Sequence, residues 1–340
     1  MQTDQPLIVT SSPHIHSGYT ISSAMRDVIL ALVPAVIASV YFFGADAALV
    51  MIACVLAAIG AEYICQKIMQ RDITVTDGSA ALTGLLLAMC LPPALPLWIG
   101  ALGSIFAIVI GKQVFGGLGC NVFNPAHIGR AILLASFPAH MTTWSMPLGA
   151  VDAVSSASST TDAVSWATPL AHMKTLSETV APNQLVQTVT NDISLYNLFI
   201  GNITGSLGET CVPALLLGGL YLVYRGHIDW RIPVYYIGSV FLIMLLYGIF
   251  QGYGWEFSLF HLLSGGLVIG AFFMATDWVT SPLTNKGRII FAIGLGVLTC
   301  LIRLKSSYSE GVCYSILIMN MLTPLIDRYT KRRVFGRVAK

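Results

Sequence analysis

The chain has 340 residues, of which 55% are hydrophobic and 10% charged, with a formal net charge of +2 and a mean hydropathy of +0.75. A soluble domain carries roughly 25% charged residues, so the composition excludes an ordinary soluble protein and describes an integral membrane protein. The balanced charge argues against a nucleic-acid partner, and the seven cysteines, scattered without C-x-x-C spacing, read as small buried hydrophobes rather than metal or cluster ligands.

Residues 1–24 are polar and lack the basic flank and apolar core of a signal peptide, so the first span is expected to act as its own insertion signal. Apolar runs follow at 25–43, 45–66, 79–92, 95–111 and 122–137, then at 209–224, 232–250, 257–276, 288–304 and 311–326. They predict an all-α polytopic membrane protein with about ten transmembrane helices. The corresponding division is a cytoplasmic segment 1–24, a five-helix repeat 25–137, an external loop 138–208, a second five-helix repeat 209–326 and a basic cytoplasmic tail 327–340. With both termini cytoplasmic, 14 of the 18 Lys and Arg fall inside, Lys174, Arg303 and Lys305 fall outside, and Arg130 lies in a helix, following the positive-inside rule.

The two halves echo one another. ALTGLLLAMCLPP (81–93) has the cadence of LLSGGLVIGAFFMATD (262–277), and NVFNPAHIGR (121–130) that of IMNMLTPLIDR (318–328). Five spans before the loop and five after it would invert the second copy, an architecture whose interrupted helices surround a central site. Within it, FGGLGCNVFNPAHIGR (115–130) offers glycines for close approach, a helix start near Pro125 and a guanidinium, Arg130, that calls for a carboxylate or phosphate partner. Tight helix packing explains the glycines equally well, and His127 reads as a packed or hydrogen-bonded residue. The helix-end carboxylates Asp27, Asp77, Asp277 and Asp327 read as caps or interfacial groups. MATDWVTSPLTNKGR (274–288) is either a phosphate or partner site or a capped, solvated turn.

The external loop exceeds the usual connection length and carries two related heptads, DAVSSAS (152–158) and DAVSWAT (162–168). They are either a serine-rich linker that repeats or a substrate for a modifying enzyme. A threonine hydroxyl is a poor nucleophile, so such an enzyme must supply the chemistry, and the target is expected to be exposed and extended, as Pro169 favours for Thr168.

FGGLGCNVFNPAHIGRAILL, DAVSWATPL and FMATDWVTSPLTNKGR, in that order, resemble the RnfD component of the Rnf (Rsx) electron-transport complex over roughly residues 20–330, and more loosely the NqrB component of the sodium-pumping NADH:quinone oxidoreductase. The resemblance implies a flavoprotein of the bacterial inner membrane. It would be a non-catalytic electron-transfer subunit of a redox-driven Na+ or H+ translocase coupling ferredoxin and NAD, with the loop periplasmic. The family pattern D-x-x-(S/T)-x-A-T implies FMN joined by a phosphoester to Thr168, within a motif comprising Asp162, Ser165, Trp166 and Ala167; Trp166 stands where the family most often has glycine. A second, non-covalent flavin such as riboflavin is also implied, with Arg130, Asn124, Asp277, Lys286 and Arg288 as polar contacts. Implied partners are the other complex subunits, a flavin transferase and membrane lipid, with no nucleic acid and no metal. Inverted five-helix repeats also build urea- or ammonium-type channels and secondary transporters, which have no use for a flavin; flavin absorbance separates the two readings.

Overall fold

The computed structural model describes residues 20–148, 167–179, 185–186, 188–189, 193–306 and 308–331. Asp162, Ser165, Trp166 and the first heptad lie outside the described residues. The first half contains α1 (Ile21–Phe43), α2 (Ala45–Ile68), α3 (Ser79–Met89), α4 (Leu97–Ile108, continued by a π-helical turn Val109–Gln113) and α5 (Pro125–Ser136). The intervening region contributes α6 (Pro138–Met141), α7 (Pro169–Thr179) and α8 (Leu195–Ile200). The second half contains α9 (Val212–Tyr224), α10 (Arg231–Gln251), α11 (Glu256–Leu263), α12 (Leu267–Ile269, continued by a π-helical turn Gly270–Met274), α13 (Asn285–Lys305) and α14 (Val312–Tyr329).

Local chemistry sets these boundaries. Thr20 opens α1 with a capping box: its hydroxyl accepts from the Ser23 N–H and the Ser23 hydroxyl accepts from the Thr20 N–H, both at 3.2 Å. Thr284 caps α13 by accepting from the Gly287 N–H at 3.0 Å. Prolines 92, 93 and 96 stop α3 and delay α4, because each lacks an amide donor.

Among the described residues, α1, α2, α10 and α13 are long and apolar enough to cross a membrane. The segments Glu256–Leu263 and Leu267–Met274 make a fifth span if taken together, bent by 66°. The single run expected at 257–276 is thus broken, at Ser264–Gly266, where Gly265 adopts a φ of +73° that a side chain resists. At 11 and 12 residues, α3 and α5 reach only about 16–18 Å at 1.5 Å per residue, short of the roughly 30 Å hydrocarbon layer. The chain is therefore a multi-pass helical membrane protein built from both long and short apolar helices.

The packing pairs related elements. α2 lies along α3 and α4, α10 lies along α11 and α13, and the first helices of the two halves, α1 and α9, pack on each other, as do the last, α5 and α14. The intervening region is not a bare linker: Met141, Leu170, Met173 and Leu198 are buried in the same continuous core as the membrane helices.

Candidate functional site

The FGGLGCNVFNPAHIGR motif forms one wall of a cavity of about 110 Å³. Gly116, Gly117 and Gly119 all take positive φ, which turns the chain back from α4 into α5. Asn124 then caps α5, accepting from the Ala126 N–H at 3.0 Å, while its amide nitrogen donates across the molecule to the Met274 carbonyl at 3.2 Å. Asn121 donates to Asp277 Oδ2 at 3.5 Å, and Thr280 Oγ1 donates to the same oxygen at 3.2 Å. With its amide oxygen turned toward α5, Asn320 accepts from the Asn124 N–H at 3.1 Å, so the asparagines of the two echoing motifs meet. Ser79, Thr83, Lys112, His227 and Thr276 add to the polar lining, and Phe272 and Phe273 of the second π turn supply apolar wall. Lys286 is exposed in the first turn of α13 and Arg288 donates to Asp229 Oδ2; neither lines this cavity.

Arg130 also lies elsewhere. Six residues along α5 from Asn124, it faces a second cavity, of about 330 Å³, whose wall includes Thr168, Trp144, Tyr308, Glu310 and Tyr314. Its guanidinium forms an ion pair with Glu310, 180 residues away in sequence. Thr168 sits at the start of α7, its hydroxyl accepting from the Ala171 N–H at 3.3 Å and its carbonyl from the His172 N–H at 2.8 Å. The Ala167 carbonyl accepts from Thr204 Oγ1 at 2.8 Å, which ties the motif to the loop before α9. Contrary to the expectation of an exposed target, Thr168 is only 3% exposed, because Pro169 starts a helix here and the capping hydroxyl folds inward with it.

Several ionic groups have other roles than their sequence context suggests. Asp27 is no simple helix-end group: it is buried, and accepts from Arg225 Nη2 at 2.8 Å and pairs with His227 Nε2 at 2.6 Å. Lys112, assigned by alternation to the cytoplasmic face, is 1% exposed and donates to Glu62 Oε1 at 2.7 Å and Ser79 Oγ at 2.6 Å. Arg303, assigned to the outside, is buried and donates to the carbonyls of His261 and Ser264. His127 is packed but not hydrogen-bonded, since neither ring nitrogen has a partner. Asp229, in the turn before α10, is bridged by Arg231 at 3.0 Å and Arg288 at 2.5 Å. Partial burial raises its pKa, but hydrogen bonds from the Arg231 backbone and from the Arg288 and Arg231 side chains outweigh this and hold the carboxyl below its usual range. Glu310, the partner of Arg130, is not among the residues that the sequence singles out; the available signal was a lone carboxylate beside an apolar run that also required a cation.

A multi-pass helical membrane protein with two polar cavities, one at the glycine-rich motif and one around a threonine at a helix start, is the class that fold and site define. The chain matches the NQR2, RnfD, RnfE family over residues 8–336, and it belongs to that family. It is 49% identical over 329 residues to the D component of the proton-translocating ferredoxin:NAD(+) oxidoreductase complex of Clostridium ljungdahlii, covering 96% of each chain. It is 45% identical to the D component of the Na(+)-translocating ferredoxin:NAD(+) oxidoreductase complex of Acetobacterium woodii, covering 97% of this chain and 95% of that one. Identity to the D component of the ion-translocating oxidoreductase complex of Stutzerimonas stutzeri is 40%, covering 94% of each. These relatives are subunits of a redox enzyme complex.

Proposed function

We propose that this chain is the membrane electron-transfer subunit of an ion-translocating ferredoxin:NAD oxidoreductase complex and that it carries FMN on Thr168 through a phosphoester. The observation that carries the reading is the position of Thr168 at the start of α7 in the wall of a cavity of about 330 Å³ shared with Arg130 and Glu310. At this helix start the Ala171 N–H already points to the Thr168 hydroxyl, where the phosphoester oxygen would stand, Arg130, paired with Glu310, places a phosphate-binding group on the same wall, and Trp144, Tyr308 and Tyr314 offer ring faces to an isoalloxazine. When bound, FMN supplies reversible electron storage. The protein anchors its phosphate end, sets the polarity around it and limits the approach of water.

The burial of Thr168 gives this reading an order of events. Its hydroxyl is enclosed and already engaged by Ala171, so the flavin transferase acts before α7 docks or on a state in which α7 has lifted. The pairing of α1 with α9 and of α5 with α14 supports the arrangement of two inverted five-helix repeats, with termini cytoplasmic and the loop on the opposite side. The smaller cavity at Asn124 and Asp277 is the candidate position for a second, non-covalent flavin such as riboflavin. At about 110 Å³, it would have to widen on binding.

The test is in-gel fluorescence after denaturation, which strips a bound cofactor but leaves a phosphoester. Thr168→Ala is expected to abolish the signal, Ser158→Ala to preserve it, and Thr168→Ser to retain part because a hydroxyl remains. Full fluorescence in membrane-inserted Thr168→Ala sinks the assignment.

A further inference from the structure

Against the face of α7 opposite Thr168 and Ala171 lies a cavity of about 80 Å³ whose charged lining, among the described residues, is entirely basic. Lys174 and Ser177 enter it from α7, His261 from α11, Arg303 from the last turn of α13 and Ser309 from the segment that follows. The rings of Tyr247, Tyr253 and Phe257, with centroids 5.0–6.2 Å apart, form its apolar wall. Beside such a wall a charge is poorly screened.

Arg303 is the group that this setting leaves uncompensated. It is 5% exposed. Its Nη1 donates to the His261 carbonyl and its Nη2 to the Ser264 carbonyl at 3.1 Å, while Nε has no partner. Those carbonyls belong to the end of α11, whose dipole offers roughly half an elementary charge. No carboxylate among the described residues pairs with the guanidinium: Glu310 is held by Arg130, Glu209 Oε1 accepts from Ser206 Oγ at 2.8 Å, and neither lines the cavity. His261 is 6% exposed, and its Nδ1 is likewise without a partner. Lys174 gives one N–H to the Ser306 carbonyl, which leaves two of its three ammonium hydrogens for other acceptors. A buried charge without a counter-charge is among the costliest things a protein interior can hold. The cavity therefore has donors and positive charge in excess, and what it lacks is an acceptor with negative charge.

We propose that this cavity binds one small inorganic anion, of chloride size, between Arg303 Nε, His261 Nδ1 and Lys174 Nζ, and that the anion clamps α7 to α11 and α13. The volume selects the class, since about 80 Å³ admits an ion with a water or two but no ring system. The anion cancels the charge that the α11 dipole leaves over and fixes the His261 tautomer with its proton on Nδ1. It also draws Lys174, the charged contribution of α7, toward the membrane helices. The site stands whatever Thr168 carries. Its consequence for flavin attachment rests on the flavin reading: an anion that favours the docked state of α7 closes the Thr168 hydroxyl to the transferase.

Thermal unfolding of the solubilised full-length chain tests this, with sodium chloride exchanged for sodium gluconate at constant ionic strength, because gluconate is too large for the cavity. A ligand that binds only the folded state raises the melting temperature as its concentration rises, and the wild type is expected to show such a rise with chloride. Lys174→Gln is expected to move the half-effect to a chloride concentration about tenfold higher or more, the weight of one charge-assisted hydrogen bond. Arg303→Met is expected to abolish the chloride dependence, since it removes the charge that the anion neutralises. Bulk salt effects are common to all three proteins and cancel in the comparison. No chloride-dependent rise in the wild type overturns the proposal, whether or not a variant folds. A rise that Arg303→Met retains overturns the site, and one that Lys174→Gln leaves at the wild-type concentration overturns the clamp. None of these readings uses fluorescence on Thr168, so their failure and that of the flavin assignment are told apart.

Discussion

Lys112 shows how a single residue changes meaning once its neighbours are known. Its ammonium group is enclosed by Glu62 Oε1 at 2.7 Å and Ser79 Oγ at 2.6 Å, and Gln113 adds a donor to the same carboxylate oxygen at 2.9 Å. Removing one member of such a pair leaves the other as an uncompensated buried charge, at a cost of about 3–5 kcal/mol, whereas replacing both with apolar or neutral groups is often nearly neutral. Lys112→Met is therefore expected to lower unfolding stability in detergent by about that amount, and Glu62→Gln combined with Lys112→Met to recover most of it. A double variant no more stable than Lys112→Met alone would show that the lysine matters for something other than its charge partner.

At the scale of elements, the approach of α1 to α9 depends on a missing side chain. A Cβ at Gly218 would lie 2.0 Å from the Ala31 carbonyl oxygen in α1, with Phe273 Cζ at 3.1 Å behind it. Gly238 in α10 faces outward, and a methyl group there would meet no atom within 4 Å. Overpacking costs roughly 1–3 kcal/mol, while Gly to Ala in an open helix position gains up to about 1 kcal/mol. Gly218→Ala is expected to lower the melting temperature of the solubilised protein and Gly238→Ala to leave it level or raise it. Equal effects from the two would mean that α1 and α9 do not approach as closely as described. The break between α11 and α12 belongs to the same scale: Ser264–Gly265–Gly266 was visible in the chain, yet the flanking residues are apolar enough that hydropathy alone joined them into one span.

For the whole molecule the decisive property is its orientation. The proposed topology places residue 159 on the face opposite the termini, and the structure puts the start of α1 and the start of α5 around the Asn124 cavity while the end of α5 and the start of α14 line the Thr168 cavity. An impermeant thiol reagent is expected to label Ser159→Cys in intact cells, in a background whose exposed Cys120 has been replaced. Labelling that requires permeabilisation would reverse the orientation and move the flavin site to the cytoplasmic side. Under the proposed topology the cations remain weighted to one face after Lys112 and Arg303 are withdrawn into the interior, because Arg225, Arg231 and Arg288 all lie at helix ends on that face.

By itself the chain determined its solvent, its helical class and the family motifs, since these follow from composition, run length and local order along the sequence. It also announced the start of α5 near Pro125, which is a local property, whereas the cap at Asn124 and the reversal of the chain at the glycines emerged from the structure. Tertiary structure alone decided that Arg130 answers to Glu310, that Asn124 and Asn320 touch, that Asp27 is buried against Arg225 and His227, and that Thr168 is enclosed. Each of these depends on which distant segments pack together. In a chain whose apolar runs are alike, hydropathy cannot say which run lies against which; shape and the need to satisfy buried polar groups make that choice.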